Sequence, residues 1–361
     1  MKKLFLTVLF VLTAGVLFAG AGDKIWEFAT DDHVFSTPCI VDGKVYFGSR
    51  DGYLYCISLQ RNKLIWSYLS DGDIMASPAY WDGKIYFASD DYNIYCIDAK
   101  TGKKVWDYTT GNTFFASPVI YDGKLYIGSR DGYMYCLDAK TGKKVWTFLT
   151  DGGITATVFP LDGKIYFASE DMYVYCLNAK DGKQVWKSKT GGEMISTPCV
   201  ANGKLYIGNY NGTLYCLDIK NGKRKWDYDA KDSIFSSPIV ADGKVYFGSW
   251  DANFYCLDAE DGEYIWSFET EDNIETSPIL FGGNVYFGSL DSYVYCVSID
   301  SGKLVWKYKT GEGFANNPCI YQDKLLIGGW DGYLHCIRIG GFAKTPVYPV
   351  ISGMYHLGGK K

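Results

Sequence analysis

The chain has little histidine and lacks the motifs that most often mark catalytic and metal sites. It contains only three histidines in 361 residues, and none is spaced with another histidine or with cysteines as zinc ligands are. No two cysteines are adjacent, no nucleophile lies in an elbow motif, and no glycine-rich loop precedes a helical pattern. These absences disfavour an enzyme.

The net charge is small, and the sequence contains only one long apolar run. A formal net charge of −5 argues against a nucleic-acid partner held by phosphate neutralisation. The one long apolar run, residues 4–18, follows two lysines and precedes Ala19-Gly20-Ala21, which is typical of a cleavable secretory signal and too short for a membrane span. We therefore expect a signal peptide over 1–21, a folded domain over 22–340 and a tail over 341–361. The protein should be exported, periplasmic or extracellular, without stable membrane insertion.

The chain does have a strict internal repeat. Tryptophan recurs every 40 residues, at Trp26, Trp66, Trp106, Trp146, Trp186, Trp226, Trp266 and Trp306. Cysteine follows the same period, at Cys56, Cys96, Cys136, Cys176, Cys216, Cys256, Cys296 and Cys336. Such a period indicates one supersecondary unit copied eight times, with neighbouring copies burying each other's faces. Equivalent cysteines on successive copies lie too far apart to bridge, so we expect free thiols. The states of Cys39, Cys199 and Cys319 stay open.

Each repeat predicts four short strands. In residues 111–150, the segments 114–121, 124–130, 133–139 and 143–150 are rich in β-branched and aromatic residues, and Asp-Gly or Thr-Gly turns separate them. Both faces of these segments are apolar, as in sheets packed on both sides. The sequence therefore predicts an all-β, eight-bladed β-propeller of four-stranded antiparallel blades.

Prolines and the chain ends predict how the ring is arranged and closed. Seven repeats have a proline in the predicted first strand, which places that strand at an edge that faces the central channel. The last repeat lacks a tryptophan strand, whereas the N-terminal segment 24–30 is a spare one. We expect this N-terminal strand to complete the last blade, which leaves no open edge and favours a monomer.

The repeat resembles a known motif. Its residues in the third copy are Cys136, Asp138, Thr141, Gly142, Lys143 and Trp146. They are similar to the tryptophan-docking motif of the pyrroloquinoline quinone (PQQ) propeller repeat family, with cysteine where the family usually has alanine. The resemblance implies that the eight recurring tryptophans pack between blades, with Trp146 against Cys136 and Gly142.

The same resemblance implies two functional classes. Quinoprotein dehydrogenases of the family hold PQQ and calcium in the channel, whereas small propellers such as the outer-membrane assembly factor of the Bam complex bind proteins without a cofactor. This chain lacks the vicinal cysteines and the long insertions of the dehydrogenases. We therefore expect neither PQQ nor calcium.

Positions that differ between the copies indicate a binding face. At the predicted turn between the second and third strands, blades 1–4 have charged residues and blades 5–8 have aromatic or apolar ones. The connection into the first strand shares this face and also varies. Trp, Tyr and Arg are enriched at interface hot spots. The candidate binding residues are Arg50, Arg130, Tyr210, Trp250, Trp330, His33, Phe35, Phe115, Phe235, Glu193 and Glu275.

These observations favour an exported, non-enzymatic scaffold that binds a protein or peptide on its variable face, with envelope assembly as one such role. Two alternatives stay open. One is a quinoprotein-like module that binds PQQ or another ligand. The other is a carbohydrate-binding propeller in which Trp250 and Trp330 form the platform.

Overall fold

The computed structural model describes residues 20–314 and 316–340, which form 32 β-strands in eight four-stranded antiparallel sheets. This confirms the predicted eight-bladed propeller. The N-terminal strand β1 (Lys24–Ala29) belongs to the last blade. Of the predicted signal peptide only Gly20 and Ala21 are among the described residues, and the predicted tail 341–361 lies outside them.

The blades follow one another along the chain. Blade 1 comprises β2 (Cys39–Val41), β3 (Lys44–Gly48), β4 (Tyr53–Ser58) and β5 (Lys63–Leu69), and blade 2 comprises β6 (Ala79–Trp81), β7 (Lys84–Ala88), β8 (Asn93–Asp98) and β9 (Lys104–Thr109). Blade 3 comprises β10 (Val119–Tyr121), β11 (Lys124–Gly128), β12 (Tyr133–Asp138) and β13 (Lys144–Leu149), and blade 4 comprises β14 (Phe159–Leu161), β15 (Lys164–Ala168), β16 (Tyr173–Asn178) and β17 (Gln184–Lys189). Blade 5 comprises β18 (Cys199–Ala201), β19 (Lys204–Gly208), β20 (Thr213–Asp218) and β21 (Arg224–Asp229), and blade 6 comprises β22 (Ile239–Ala241), β23 (Lys244–Gly248), β24 (Asn253–Asp258) and β25 (Tyr264–Glu269). Blade 7 comprises β26 (Ile279–Phe281), β27 (Asn284–Gly288), β28 (Tyr293–Ser298) and β29 (Leu304–Lys309). Blade 8 comprises β30 (Cys319–Tyr321), β31 (Lys324–Gly328) and β32 (Tyr333–Arg338), together with β1.

The first strand of each blade lies nearest the channel, since neighbouring blades contact each other through these strands, as β2 does with β6 and β6 with β10. It is only three residues long, shorter than predicted. The seven prolines immediately precede this strand and do not lie in it, which corrects the expectation; only Pro160 of blade 4 lies within one. Just before the first strand, the backbone bonds to the neighbouring blade and not to a strand of its own sheet. For example, the Thr37 N–H donates to the Ser77 hydroxyl of the next blade at 2.9 Å.

The ring closes as predicted. Strand β1 pairs antiparallel with β32, Trp26 lies opposite Cys336, and blade 8 has the order β1-β32-β31-β30. Gly22 adds a second contact, because its N–H donates to the Arg338 carbonyl at 2.8 Å. The Trp306 ring lies so close to Gly22 that a Cβ there would be 3.3 Å from the ring. The closure therefore repeats the contact that joins the other blades.

The recurring tryptophans join neighbouring blades, but through a different glycine than expected. Trp146 lies opposite Cys136 in its own blade. Its ring lies against Gly182 of the next blade and not against Gly142, and its indole N–H donates to the Ala179 carbonyl at 3.1 Å. The Trp146 side chain is half-buried, because β13 is the outermost strand of its blade. The same indole-to-carbonyl bond recurs at Trp26, Trp66, Trp106, Trp186 and Trp266.

The hydrophobic core consists of layers between adjacent blades. One layer joins blades 3 and 4 and includes Tyr126, Cys136 and Ile165. The eight recurring cysteines are buried free thiols in these layers, and Cys199 is also a free thiol. Burial raises the pKa of Cys136 to about 12, so the thiol is protonated at neutral pH and packs as a small apolar group. Among the described residues, the structure contains no helix with the length and apolar character needed to span a membrane.

Removal of residues 22–30 should leave β32 as an open edge and take away the glycine under Trp306. We expect a lower midpoint of thermal unfolding and self-association, because unpaired strand edges recruit other chains. Calorimetry and light scattering measure both effects. A truncated protein that melts unchanged as a monomer would contradict this closure.

Gly182→Ala should destabilise the protein more than Gly163→Ala. Both glycines have positive φ, 70° and 72°, so each alanine costs about 1–2 kcal/mol of backbone strain. Only at Gly182 does the added Cβ lie 2.7 Å from the Trp146 ring, whereas nothing lies within 4 Å at Gly163. Overpacking should add about 1–3 kcal/mol in denaturant unfolding. Equal losses would mean that the indole contact contributes little.

Candidate functional site

Two variable connections meet on one face of every blade, here called the mouth face. They are the turn between the second and third strands (the 2–3 turn) and the loop into the first strand (the entry loop). The second residue of each 2–3 turn donates its N–H to an entry-loop carbonyl at 2.9–3.1 Å. The donor–acceptor pairs are Arg50–His33, Asp90–Asp73, Arg130–Thr113, Glu170–Gly153, Tyr210–Glu193, Trp250–Ser233, Leu290–Asn273 and Trp330–Gly313. The backbone thus holds the two variable positions side by side.

The entry loops surround a cavity of about 510 Å³ at this end of the channel. Its apolar wall side chains include Phe35, Met75, Phe115, Ile195 and Phe235. Its charged wall side chains are Arg130, Glu170 and Glu275. A volume of this size suits a small ligand or a few side chains of a partner.

Polar side chains form the inner ring of the cavity, two residues before each first strand. The members are Thr37, Ser77, Ser117, Thr157, Thr197, Ser237, Ser277 and Asn317. At six steps of the ring the N–H of one member donates to the side-chain oxygen of the next, as Ser77 does to Ser117 at 2.9 Å. Asn317 donates across the closure to Thr37 at 3.3 Å. Because these oxygens accept backbone hydrogens, the hydroxyl hydrogens remain available to a ligand or to water.

On blades 1 and 3 the protein places its own cations over aromatic rings. The guanidinium carbon of Arg50 lies 5.8 Å from the centre of the Phe35 ring, and that of Arg130 lies 5.3 Å from the centre of Phe115. Both distances are within the range of cation–π attraction. Arg50 also donates to Asp73 at 2.9 Å. This side of the mouth is therefore internally paired.

On blades 5 and 6 three aromatic rings pack against one another. Phe235 is stacked on Trp250, with ring centres 4.4 Å apart and planes 4° apart, and Tyr210 meets Phe235 edge-on at 4.9 Å. Burial raises the pKa of the neighbouring Glu275 carboxyl, and the nearby Trp250 indole partly offsets this rise. The buried Trp250 Nε1 atom has no partner of acceptable hydrogen-bond geometry among the described residues. We therefore regard the two groups as close but not hydrogen-bonded.

The predicted binding residues divide into two sets. Those that line the cavity are Phe35, Phe115, Arg130, Tyr210, Phe235 and Glu275. Those on the same face outside its lining are His33, Arg50, Glu193, Trp250 and Trp330.

The expectation that Trp250 and Trp330 form an open platform needs correction, because both side chains are half-buried. Trp330 is stacked with His33, with ring centres 6.3 Å apart, and also packs against Phe35. An entry-loop ring thus covers each indole: Phe35 packs on Trp330 and Phe235 stacks on Trp250. The two indoles support the cavity wall.

Several lining residues escaped the sequence reasoning. Glu170 was visible as a charged member of the 2–3 turn series. Asn316 is only 4% exposed and its Oδ1 atom has no hydrogen-bond partner among the described residues. The polar ring had a usable signal, since a Ser, Thr or Asn precedes the proline in seven repeats and Thr157 precedes Val158 in blade 4.

Among the described residues, the acidic side chains of the cavity do not form a cluster. No group of three His, Cys, Asp or Glu side chains that could hold a metal ion comes together within 20–314 and 316–340. Glu170 and Glu275 do line the cavity, but from blades 4 and 7. We derive no cofactor chemistry from this site.

Two family models match overlapping parts of the chain, each more than half of its length. Residues 111–308 match the model described as outer membrane protein assembly factor BamB, and residues 15–204 match the β-propeller of the β-alanine-activating enzyme. The chain therefore belongs to the PQQ-like β-propeller family. Among curated proteins, none matches the sequence significantly.

Three solved structures that share this architecture belong to proteins with different names. BamB from Moraxella catarrhalis is 18% identical, with a TM-score of 0.78 over 88% of this chain and 99% of that one. A europium-containing methanol dehydrogenase is 17% identical, with a TM-score of 0.73 over 86% of both chains. Sqt1 of Saccharomyces cerevisiae is 14% identical, with a TM-score of 0.79 over 89% of this chain and all of that one. At these identities the likeness shows the fold alone.

Glu275→Gln should stabilise the protein at neutral pH. A carboxyl whose pKa is raised by folding binds its proton more tightly in the folded state, so its ionisation opposes folding, and this penalty fades as pH falls. The melting temperature of the variant should exceed that of the wild type at pH 7, and the difference should shrink toward pH 4. Glu271→Gln, at an exposed residue of the same face, is the matched control and should change little. If Glu275→Gln instead lowers the melting temperature at pH 7, ionisation of Glu275 does not oppose folding.

Proposed function

We propose that this chain is a non-enzymatic, exported propeller that binds an extended segment of a partner protein in the mouth cavity. The observation that carries the proposal is the combination of exposed aromatic side chains with a cavity that has a built polar floor. Phe115 is 47% exposed and Tyr210 is 40% exposed on its wall. Solvent-exposed aromatic rings around a cavity are the usual composition of interface hot spots.

The cavity chemistry suits a peptide. Its apolar wall accepts side chains, while the polar ring of Ser, Thr and Asn residues offers hydrogen bonds to a backbone that enters the channel. The name of one relative, an outer membrane protein assembly factor, describes a protein that acts on other proteins. A signal peptide at 1–21 would place this chain in the same compartment.

Neither alternative function has an equally specific observation in its favour. In support of the quinoprotein-like reading, the described residues offer no group of three His, Cys, Asp or Glu side chains that could hold a metal ion. The carbohydrate reading would need an open indole platform, but Phe235 covers Trp250 and His33 covers Trp330. Absorbance changes on addition of PQQ and calcium, and a glycan array, would each detect the corresponding alternative.

Ile195→Trp should abolish peptide capture, because it fills the cavity wall with a large ring. Peptides are first selected from a displayed random library on the purified protein and then measured by calorimetry on the variants. We expect Ile195→Trp to weaken binding at least about ten-fold, a loss on the order of 1.4 kcal/mol. Val185→Trp makes a similar change on β17, where Val185 is 48% exposed and far from the lining, and should bind within about two-fold of wild type. Equal binding by both variants, or a library without binders, would contradict the proposal.

A further inference from the structure

We propose that the cavity wall formed by blades 4 to 8 is a subsite for an alkylammonium group, such as the side chain of a lysine in the bound peptide. This inference rests on the proposed function and names the chemistry of its ligand. Four observations support it: aromatic surface, uncompensated carboxylates, the missing internal cation and unpartnered acceptors.

The first observation is the aromatic surface. Tyr210 and Phe235 line the cavity, and Trp250 is stacked behind Phe235. The faces of such rings carry the negative part of the aromatic quadrupole and attract organic cations, most strongly where water is excluded. Tyr210 remains 40% exposed and thus accessible to a ligand.

The second observation is negative charge around these rings. Burial and the carboxylates of Glu193, Glu170 and Glu275 raise the pKa of the Tyr210 phenol, and Glu170 and Glu275 line the same cavity as Tyr210. Glu275 is partly desolvated, and its pKa is raised mainly for that reason. A cation that binds here would pair with a carboxylate in a medium of low polarity, where the attraction is stronger than in water.

The third observation comes from comparing the blades. On blades 1 and 3, Arg50 and Arg130 lie over Phe35 and Phe115. Among the described residues, the remaining cation–aromatic contacts come from lysines at Trp81, Tyr173, Tyr175, Tyr293 and Tyr295. The Tyr210, Phe235 and Trp250 rings therefore have no cation from the described part of the chain, and a ligand can supply it.

The fourth observation is an unpartnered acceptor. The Asn316 side chain is 4% exposed and lines the cavity; its Nδ2 donates to the Val34 carbonyl at 2.5 Å, and its Oδ1 has no partner among the described residues. The Thr155 hydroxyl, also in the lining, is likewise buried and has no partner within the described part of the chain. Buried acceptors without donors are costly, and an ammonium group supplies three donors.

The test compares two peptides that differ only by the ammonium group. Acetyl-Gly-Phe-Lys-Phe-Gly-amide and its norleucine counterpart are titrated into the purified full chain at constant ionic strength, and their affinities are measured by calorimetry. We expect the lysine peptide to bind at least about ten-fold more tightly, about 1.4 kcal/mol. Glu275→Gln should remove this preference, so that the lysine and norleucine peptides bind alike, and Glu271→Gln should retain it.

Acidification provides a second readout. Because burial raises the pKa of Glu275, the lysine preference should disappear at a pH above the ordinary glutamate value of 4.5. The Glu275→Gln variant should show no such step. A preference that persists unchanged below pH 4 would overturn the role of this carboxylate.

The remaining outcomes separate this inference from the proposed function. Equal affinity for the two peptides, or a Glu275→Gln variant that keeps the lysine preference, overturns the subsite while library-selected peptides still support peptide binding. Butylamine that binds the wild type but not Glu275→Gln supports the subsite, even if the library yields no peptide, and indicates a free amine as its source. No saturable binding of either peptide or of butylamine overturns the inference.

Discussion

An indole ring lies on the backbone of the next blade, and this contact holds the blades of the propeller together; at six of the joints the indole N–H also donates to a carbonyl there. At the first such joint Trp66 donates to the Ala99 carbonyl at 3.3 Å, and the Tyr46 hydroxyl donates to the same oxygen at 3.2 Å. A carbonyl has two lone pairs, so both bonds are allowed. The ring lies against Gly102, whose φ of 72° suits glycine. An insertion in either blade would displace this joint, which explains why the 40-residue period is kept without a slip.

Because the joints and core layers lie in the strands, the mouth face can vary without loss of the fold. Each 2–3 turn is fastened to its entry loop by a backbone hydrogen bond that no side chain is needed to make. The side chains there are consequently free to form internal pairs, as Arg50 and Asp73 do, or to be buried at a cost, as the Asn316 amide oxygen and the Glu275 carboxyl are. Groups that oppose folding are expected where a protein binds something, since a stable scaffold can tolerate them.

The periodic features of the fold could be predicted from the sequence, whereas the contacts between repeats could not. Blade number, strand order and closure follow from the spacing of Trp26 to Trp306 and from the missing last strand. The spacing does not predict that Trp146 packs against Gly182 and not against Gly142. Both glycines occupy equivalent positions in the repeat, and only the packing shows which of them the ring contacts. Comparing the copies found Phe235 and Glu275 on the cavity wall. It did not reveal that Phe235 covers Trp250, because that contact depends on how two loops lean toward each other.

Hydrogen–deuterium exchange of the protein with and without a selected peptide tests the central claim most directly. The account predicts slower exchange on binding in the entry loops and 2–3 turns that surround the cavity, above all in segments 193–197, 210–212, 233–237 and 273–277. The turns on the opposite face and the outer strands β5, β9 and β13 should exchange at unchanged rates. Protection confined to that opposite face or to those outer strands would contradict a binding site at the mouth of the channel.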